Sequence, residues 1–222
     1  MKTGLVQFVR KHKKFSVRIL AGLLIASLAA CGAPEALHLK TSQESLVTVV
    51  SVSGQVVKSG KPVSAGEPMS VGETIMVDEH GSAILKIKDR ASIQLKNSGK
   101  LVIDEISDSI VIMLDYGSLM SVVSPVGKKF QLVTPAATVG VRGTAFYVEA
   151  RGIDQTYVCL CEGTLQIKTE SGVQEIHSDD RSHHHPVLIA PDKNGRTAVE
   201  PAEMLNHTND DISALENVLR KK

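Results

Sequence analysis

Between residues 46 and 168 the chain is a succession of short apolar runs separated by glycines, and within the runs the side chains alternate in character. Ala83, Leu85 and Ile87 fall on one side of an extended segment, with Lys86 and Lys88 on the other. Ile93 and Leu95 alternate in the same way with Gln94 and Lys96. A period of two belongs to a half-buried strand with one wet face. Residues 46–52, 55–58, 74–77, 83–87, 101–103, 110–114, 118–123, 130–134, 156–160 and 164–168 read as further strands. Gly54, Gly60, Gly66, Gly72, Gly99 and Gly117 read as turns between them. No helix-period segment interrupts the series, so the expected fold is all-β, a β-rich sandwich or a solenoid-like roll of many short strands. Uneven glycine spacing argues against a strict solenoid.

The chain has no Trp, four Phe and three Tyr, so its core must be aliphatic, and Val and Ile favour strands. One stretch stands out: Thr134-Pro135-Ala136-Ala137-Thr138-Val139-Gly140-Val141-Arg142-Gly143-Thr144-Ala145-Phe146-Tyr147-Val148. Gly143 reads as a corner between two strands, because glycine supplies the positive φ that other residues resist. Arg142 is the only charge between Lys129 and Glu149. Its guanidinium suits carbonyls left open at such a corner, which is the favoured reading. A contact with a partner is the alternative.

Residues 1–30 hold six Lys/Arg and no acid. With 25 basic and 24 acidic residues in all, the remainder carries a formal charge of about −5. A mildly acidic body lacks the clustered cations that grip nucleic acid, so no nucleic-acid partner is expected. The same 30 residues have the layout of an export signal: a basic start up to Arg18, a short apolar run over residues 19–28, then small residues. That run is well short of the roughly 20 residues of a spanning helix. Leu28-Ala29-Ala30-Cys31 resembles the lipobox of bacterial lipoproteins, in which the cysteine after the cut is acylated. A plain secretory signal cut after Ala30 is the alternative. Gly32 after the cysteine matches the pattern that permits sorting to the outer membrane. The expected address is the cell envelope, lipid-anchored through Cys31 and facing the periplasm.

The expected organisation is therefore a signal over 1–30, a flexible tether over 31–45, a β domain over 46–191, and a loop with a helical tail over 192–222. Pro201 suits the first position of a short helix through Asn206. Thr208 or Asn209 can cap a second helix, with Asp210 and Asp211 in its first turn and basic residues in its last. Ile212, Leu215, Val218 and Leu219 form its apolar stripe, which is expected to dock on its own domain because so short a helix is marginal alone.

With the strands laid out, residues 46–170 resemble the FecR domain, named for a regulator of ferric-citrate uptake. The matching features are Gly54, Gly72-Glu73-Thr74-Ile75, Gly81-Ser82-Ala83, Gly117-Ser118-Leu119, Phe130-Gln131-Leu132-Val133-Thr134-Pro135, Val141-Arg142-Gly143-Thr144-Ala145-Phe146 and Glu162-Gly163-Thr164-Leu165. The most specific part is Thr134-Pro135 with Arg142, Gly143, Thr144 and Phe146. The resemblance implies an all-β periplasmic domain used in protein–protein signalling, and hence a protein partner in the envelope. In the founding regulators the domain lies between a cytosolic anti-sigma segment with a transmembrane helix and a receptor-binding module. A lipoprotein signal stands here in place of the former, and no comparable module follows residue 170. That departure argues against direct control of a sigma factor.

Cys159 and Cys161 flank Leu160, so on a strand both thiols share a face opposite Val158 and Leu160. Same-face residues are about 7 Å apart, against about 3.8 Å between the Cβ atoms of a disulfide, so the two should not bridge. Once Cys31 is lipidated no third cysteine remains, and two unpaired thiols in an oxidising compartment call for a reason. His177 and His183-His184-His185-Pro186 follow. Thiolate and imidazole together suit zinc, copper or haem iron, so Cys159, Cys161, His183 and His185 are the candidate ligands of a metal- or haem-binding or redox-sensing site. Buried apolar cysteines beside a solvated histidine loop are the plainer alternative. An enzyme is not expected: no phosphate-cradling glycine loop precedes a helix, and the adjacency of Asp179, Asp180, Ser182 and His183 is no triad.

Overall fold

The computed structural model describes residues 46–125, 129–181, 183 and 185–221. The signal, Cys31 and the tether lie outside the described residues.

The described residues form fourteen strands and one helix. In order, the strands are β1 (Val47–Ser53), β2 (Val56–Lys58), β3 (Lys61–Pro62), β4 (Pro68–Met69), β5 (Thr74–Val77), β6 (Ser82–Ile87) and β7 (Ala91–Ile106). They continue with β8 (Ser109–Val123), β9 (Lys129–Val133), β10 (Thr138–Ala150), β11 (Thr156–Thr169), β12 (Gly172–Ser178), β13 (His185–Pro191) and β14 (Thr197–Pro201). Helix α1 (Asn209–Arg220) closes the chain. All strands join one open hydrogen-bonded sheet. The all-β expectation holds.

Four strands are twice as long as their sequence suggested, and each changes partner at an interior glycine. Strand β7 pairs with β6 before Gly99 and with β5 after it. Strand β8 pairs with β9 before Gly117 and with β10 from Gly117 onward. In β10 the exchange falls at Gly143, from β9 to β8. In β11 it falls at Gly163, from β13 to β12. Gly99, Gly117 and Gly143 are therefore not turns or corners that reverse the chain, as the sequence suggested. They are bends within continuous strands, and the register shifts of the β7–β8 and β10–β11 pairs fall beside them.

Glycine is required at this crease. A Cβ on Gly117, whose φ is +93°, would lie 2.3 Å from Gly99 Cα, and one on Gly163 would lie 2.4 Å from Gly143 O. The crease divides the sheet into two halves, one built on β6, β7, β8, β10, β11, β13 and β14, the other on β5, β7, β8, β9, β10, β11 and β12. Apolar residues from both halves form a single aliphatic core, in which Phe130 and Phe146 meet edge to face with ring centroids 6.2 Å apart. The fold is thus a sandwich-like roll made by bending one sheet.

The motif residues serve this bend. Thr134 shapes the β9–β10 turn: its N–H donates to Ala137 O, its hydroxyl accepts from Ala137 N–H, and its Oγ1 meets Thr156 Oγ1 at 2.7 Å. At the bulge Thr144 Oγ1 lies 3.0 Å from both Arg142 O and Thr164 O. Thr144, not the guanidinium, fastens the corner; Arg142 is exposed, in register with Thr164.

Beyond residue 191 the sheet continues. Pro201 ends β14, in register with Val187, and residues 202–208 are not helical. A helix beginning at Pro201 is excluded because the preceding residues already belong to a sheet edge. Helix α1 matches its expected signals: Thr208 caps it, Asp211 completes the reciprocal capping box, and Ile212 and Leu215 are buried. It packs on β7 and β8, as expected for docking on its own domain.

Candidate functional site

Strand alternation gives β8, β10 and β11 two different faces. Leu119, Phe146, Val148, Val158 and Leu160 enter the main core. Met120, Val122, Ala145, Tyr147, Tyr157, Cys159 and Cys161 point the other way and form a second buried cluster with Ile212 and Leu215 of α1. Cys159 and Cys161 are unlinked, fully buried and share this outer face. The β10–β11 register skips Cys161, pairing Ala145 with Glu162 and Phe146 with Leu160.

The tail seals the face. Tyr157 Oη donates to Glu203 O at 3.0 Å and accepts from Leu205 N–H at 3.1 Å. Asn206 Nδ2 donates to Glu149 Oε1 at 2.6 Å, and Tyr147 Oη donates to the same oxygen at 2.5 Å. Arg151 pairs with the other oxygen of Glu149. Burial alone would raise the Glu149 carboxyl, but these donors outweigh it and hold the group below the usual range. Arg181, in the loop after β12, bridges Glu162 of β11 and Glu216 of α1.

Two imidazoles enter beneath this seal. His183 comes from the loop between β12 and β13, with a left-handed φ of +55°, and His207 from the segment between β14 and α1. His207 stacks on Tyr147, the ring centroids 4.5 Å apart and the planes within 15°. Both histidines are buried. One donor atom from each of Cys159, Cys161, His183 and His207 lies within 4.8 Å of all the others.

Outer hydrogen bonds orient the two rings. His207 Nδ1 lies 2.5 Å from Leu205 O, a pure acceptor, so Nδ1 donates there and Nε2 turns inward. His183 Nε2 lies 3.0 Å from Asn209 Oδ1, whose amide is oriented by its Nδ2 donating to Arg181 O, so Nε2 donates and Nδ1 turns inward. The inner nitrogens, His183 Nδ1 and His207 Nε2, face each other at 3.0 Å, and Cys159 Sγ lies 3.9 Å from His183 Nδ1. The Cys161 thiol, and next the two imidazoles, pull the Cys159 thiol well below its ordinary range; the same thiol contact and burial push Cys161 up.

The structure brings together three of the four sequence candidates, Cys159, Cys161 and His183. It adds His207, which no local spacing marked. His185 opens β13 with its backbone in register with Leu160; its side chain and His184 lie outside what the structure describes. His177 is exposed and bonds to Thr164 and Asp179 instead. Haem does not fit here. Two axial nitrogens need about 4 Å across the iron and a slot for the macrocycle between them. These nitrogens are 3.0 Å apart in a packed interior.

Residues 73–178 match the family model described as FecR protein, which bears out the resemblance read from the motifs. Cys159 and Cys161 fall within that span; His183 and His207 lie beyond it. No curated protein matches the chain. Two crystal structures of a "putative anti-sigma factor" from Parabacteroides distasonis are similar to it, each at 19% identity and a TM-score of 0.49. Each alignment covers 59% of this chain and 60% of that one, so the chain spans about three fifths of the length of that protein. Among the described residues, no helix is long and apolar enough to cross a membrane.

Proposed function

We propose that the protein is a non-catalytic lipoprotein of the cell envelope, anchored through Cys31, facing the periplasm, and binding a protein partner in signalling. The observation that carries this reading is the match of residues 73–178 to the FecR family. Leu28-Ala29-Ala30-Cys31, directly after a short apolar run, supports the anchor. Sorting to the outer membrane follows from Gly32. Arg142 is the first candidate for the partner contact, because it is exposed and lines a shallow hollow with Phe130, Gln166 and Glu175.

The test is cross-linking and capture of the full acylated chain from envelope membranes. A stoichiometric membrane-associated protein is expected, with recovery reduced for Arg142→Ala at unchanged melting. Incorporation of a labelled fatty acid should vanish in Cys31→Ser. Capture of no partner by a properly acylated chain would contradict the signalling reading, and label retained in Cys31→Ser would contradict the anchor. A second reading, metal binding, is favoured by the four buried donors of the Cys/His cluster.

A further inference from the structure

We propose that Cys159, Cys161, His183 and His207 form a closed, four-coordinate zinc site that pins the C-terminal segment onto β11. The inference is independent of the partner and of the lipid anchor, since it rests on the interior of the domain alone.

Geometry is the first support. Zinc bound at about 2.3 Å to sulfur and about 2.0–2.1 Å to nitrogen places tetrahedral donors about 3.3–3.8 Å apart. The spacings here are 3.0 Å between the imidazole nitrogens and 3.9 Å from Cys159 Sγ to His183 Nδ1, with all four donors within 4.8 Å. The two short spacings differ from the tetrahedral values by a few tenths of an ångström, and the widest would close by at most about 1 Å.

Lone pairs are the second. Two imidazole nitrogens facing each other at 3.0 Å need either a shared proton or a metal cation between them. Each ring also donates its outer N–H to a fixed oxygen, Leu205 O or Asn209 Oδ1, the arrangement that orients histidine ligands around a metal.

Charge balance favours a divalent ion. With one Zn²⁺ bound, the site is two thiolates, two neutral imidazoles and a divalent cation, a neutral unit, the remaining ligand protons leaving to solvent. Neutrality suits a face built from Met120, Tyr147, Tyr157, Ile212 and Leu215. A cuprous ion in the same shell would leave a buried negative charge. Protein donors fill all four positions, so the site holds structure and does not activate water. His183 and His207 belong to the loop after β12 and the segment before α1, so the ion would staple both to β11.

The competing occupant is a proton shared between the two nitrogens beside a Cys159 thiolate. Zinc content and cobalt spectra of the full-length chain in detergent separate the two. The zinc site predicts one equivalent of zinc per chain and, after exchange into cobalt, a sulfur-to-cobalt charge-transfer band with tetrahedral ligand-field bands. Cys159→Ser, Cys161→Ser and His207→Ala should each lose the metal, and Asn209→Ala should weaken it roughly tenfold. His185→Ala should keep it. Should a ligand variant fail to fold, the wild-type chain still decides: a chelator should lower its melting temperature, and added zinc should restore it. Sub-stoichiometric zinc with a chelator-insensitive melt would overturn the proposal. So would metal retained by a folded His207→Ala and lost by His185→Ala.

Discussion

Gly117 has φ +93° and no room for a side chain, because a Cβ there would sit 2.3 Å from Gly99 Cα. Gly66 has a similar φ of +90° but open space around it. The two substitutions separate backbone strain from close approach. Gly66→Ala should cost about 1 kcal/mol from its left-handed backbone alone. Gly117→Ala should cost about 3 kcal/mol or more, because a neighbouring strand must move as well. Urea unfolding of both variants measures this, and equal losses would show that the crease tolerates a methyl group. Both glycines read as turns in the sequence; Gly66 is one, whereas Gly117 is a bend within β8. A positive-φ residue between two alternating runs looks the same whether the chain reverses or bends, and only the neighbouring strands decide. Arg142 shows a similar limit: the open corner was legible, but Thr144 closes it.

Helix α1 shows what local chemistry can foretell. Thr208, Asp211 and the Ile212/Leu215 stripe suffice for its start and its buried face. Pro201 suits a helix start by local chemistry, but its competing partner, Val187 of β13, is distant in sequence. Two depressed carboxyls help hold the tail down. Glu149 receives Asn206, and Asp211 is held low, against its own burial, by Lys96 and Thr208. A carboxyl depressed by folding contributes stability that is fully present above its unfolded value, 4.5 for Glu and 3.8 for Asp, and is lost as pH falls through the lower folded value. Acidification below about pH 4 should therefore loosen the tail, seen as faster hydrogen exchange in residues 203–220 before the main core opens. Uniform exchange across the sheet and α1 at low pH would show that the tail is no separate unit.

The molecule combines a creased sheet with a sealed outer face. Half of the site could be read from alternation, since Cys159 and Cys161 had to share a face. His183 was near enough in sequence to be named. His207 was not, because it arrives by way of β13, β14 and an irregular segment, and no spacing rule connects it to β11. The cluster is therefore a product of the tertiary fold, and its occupant decides what holds the C-terminal segment to β11. X-ray absorption at the zinc edge of the purified full-length protein reads that shell directly. Two sulfur atoms at about 2.3 Å and two imidazole nitrogens at about 2.0–2.1 Å are expected. A shell without sulfur, or protein that takes up no zinc while folded, would contradict the zinc site.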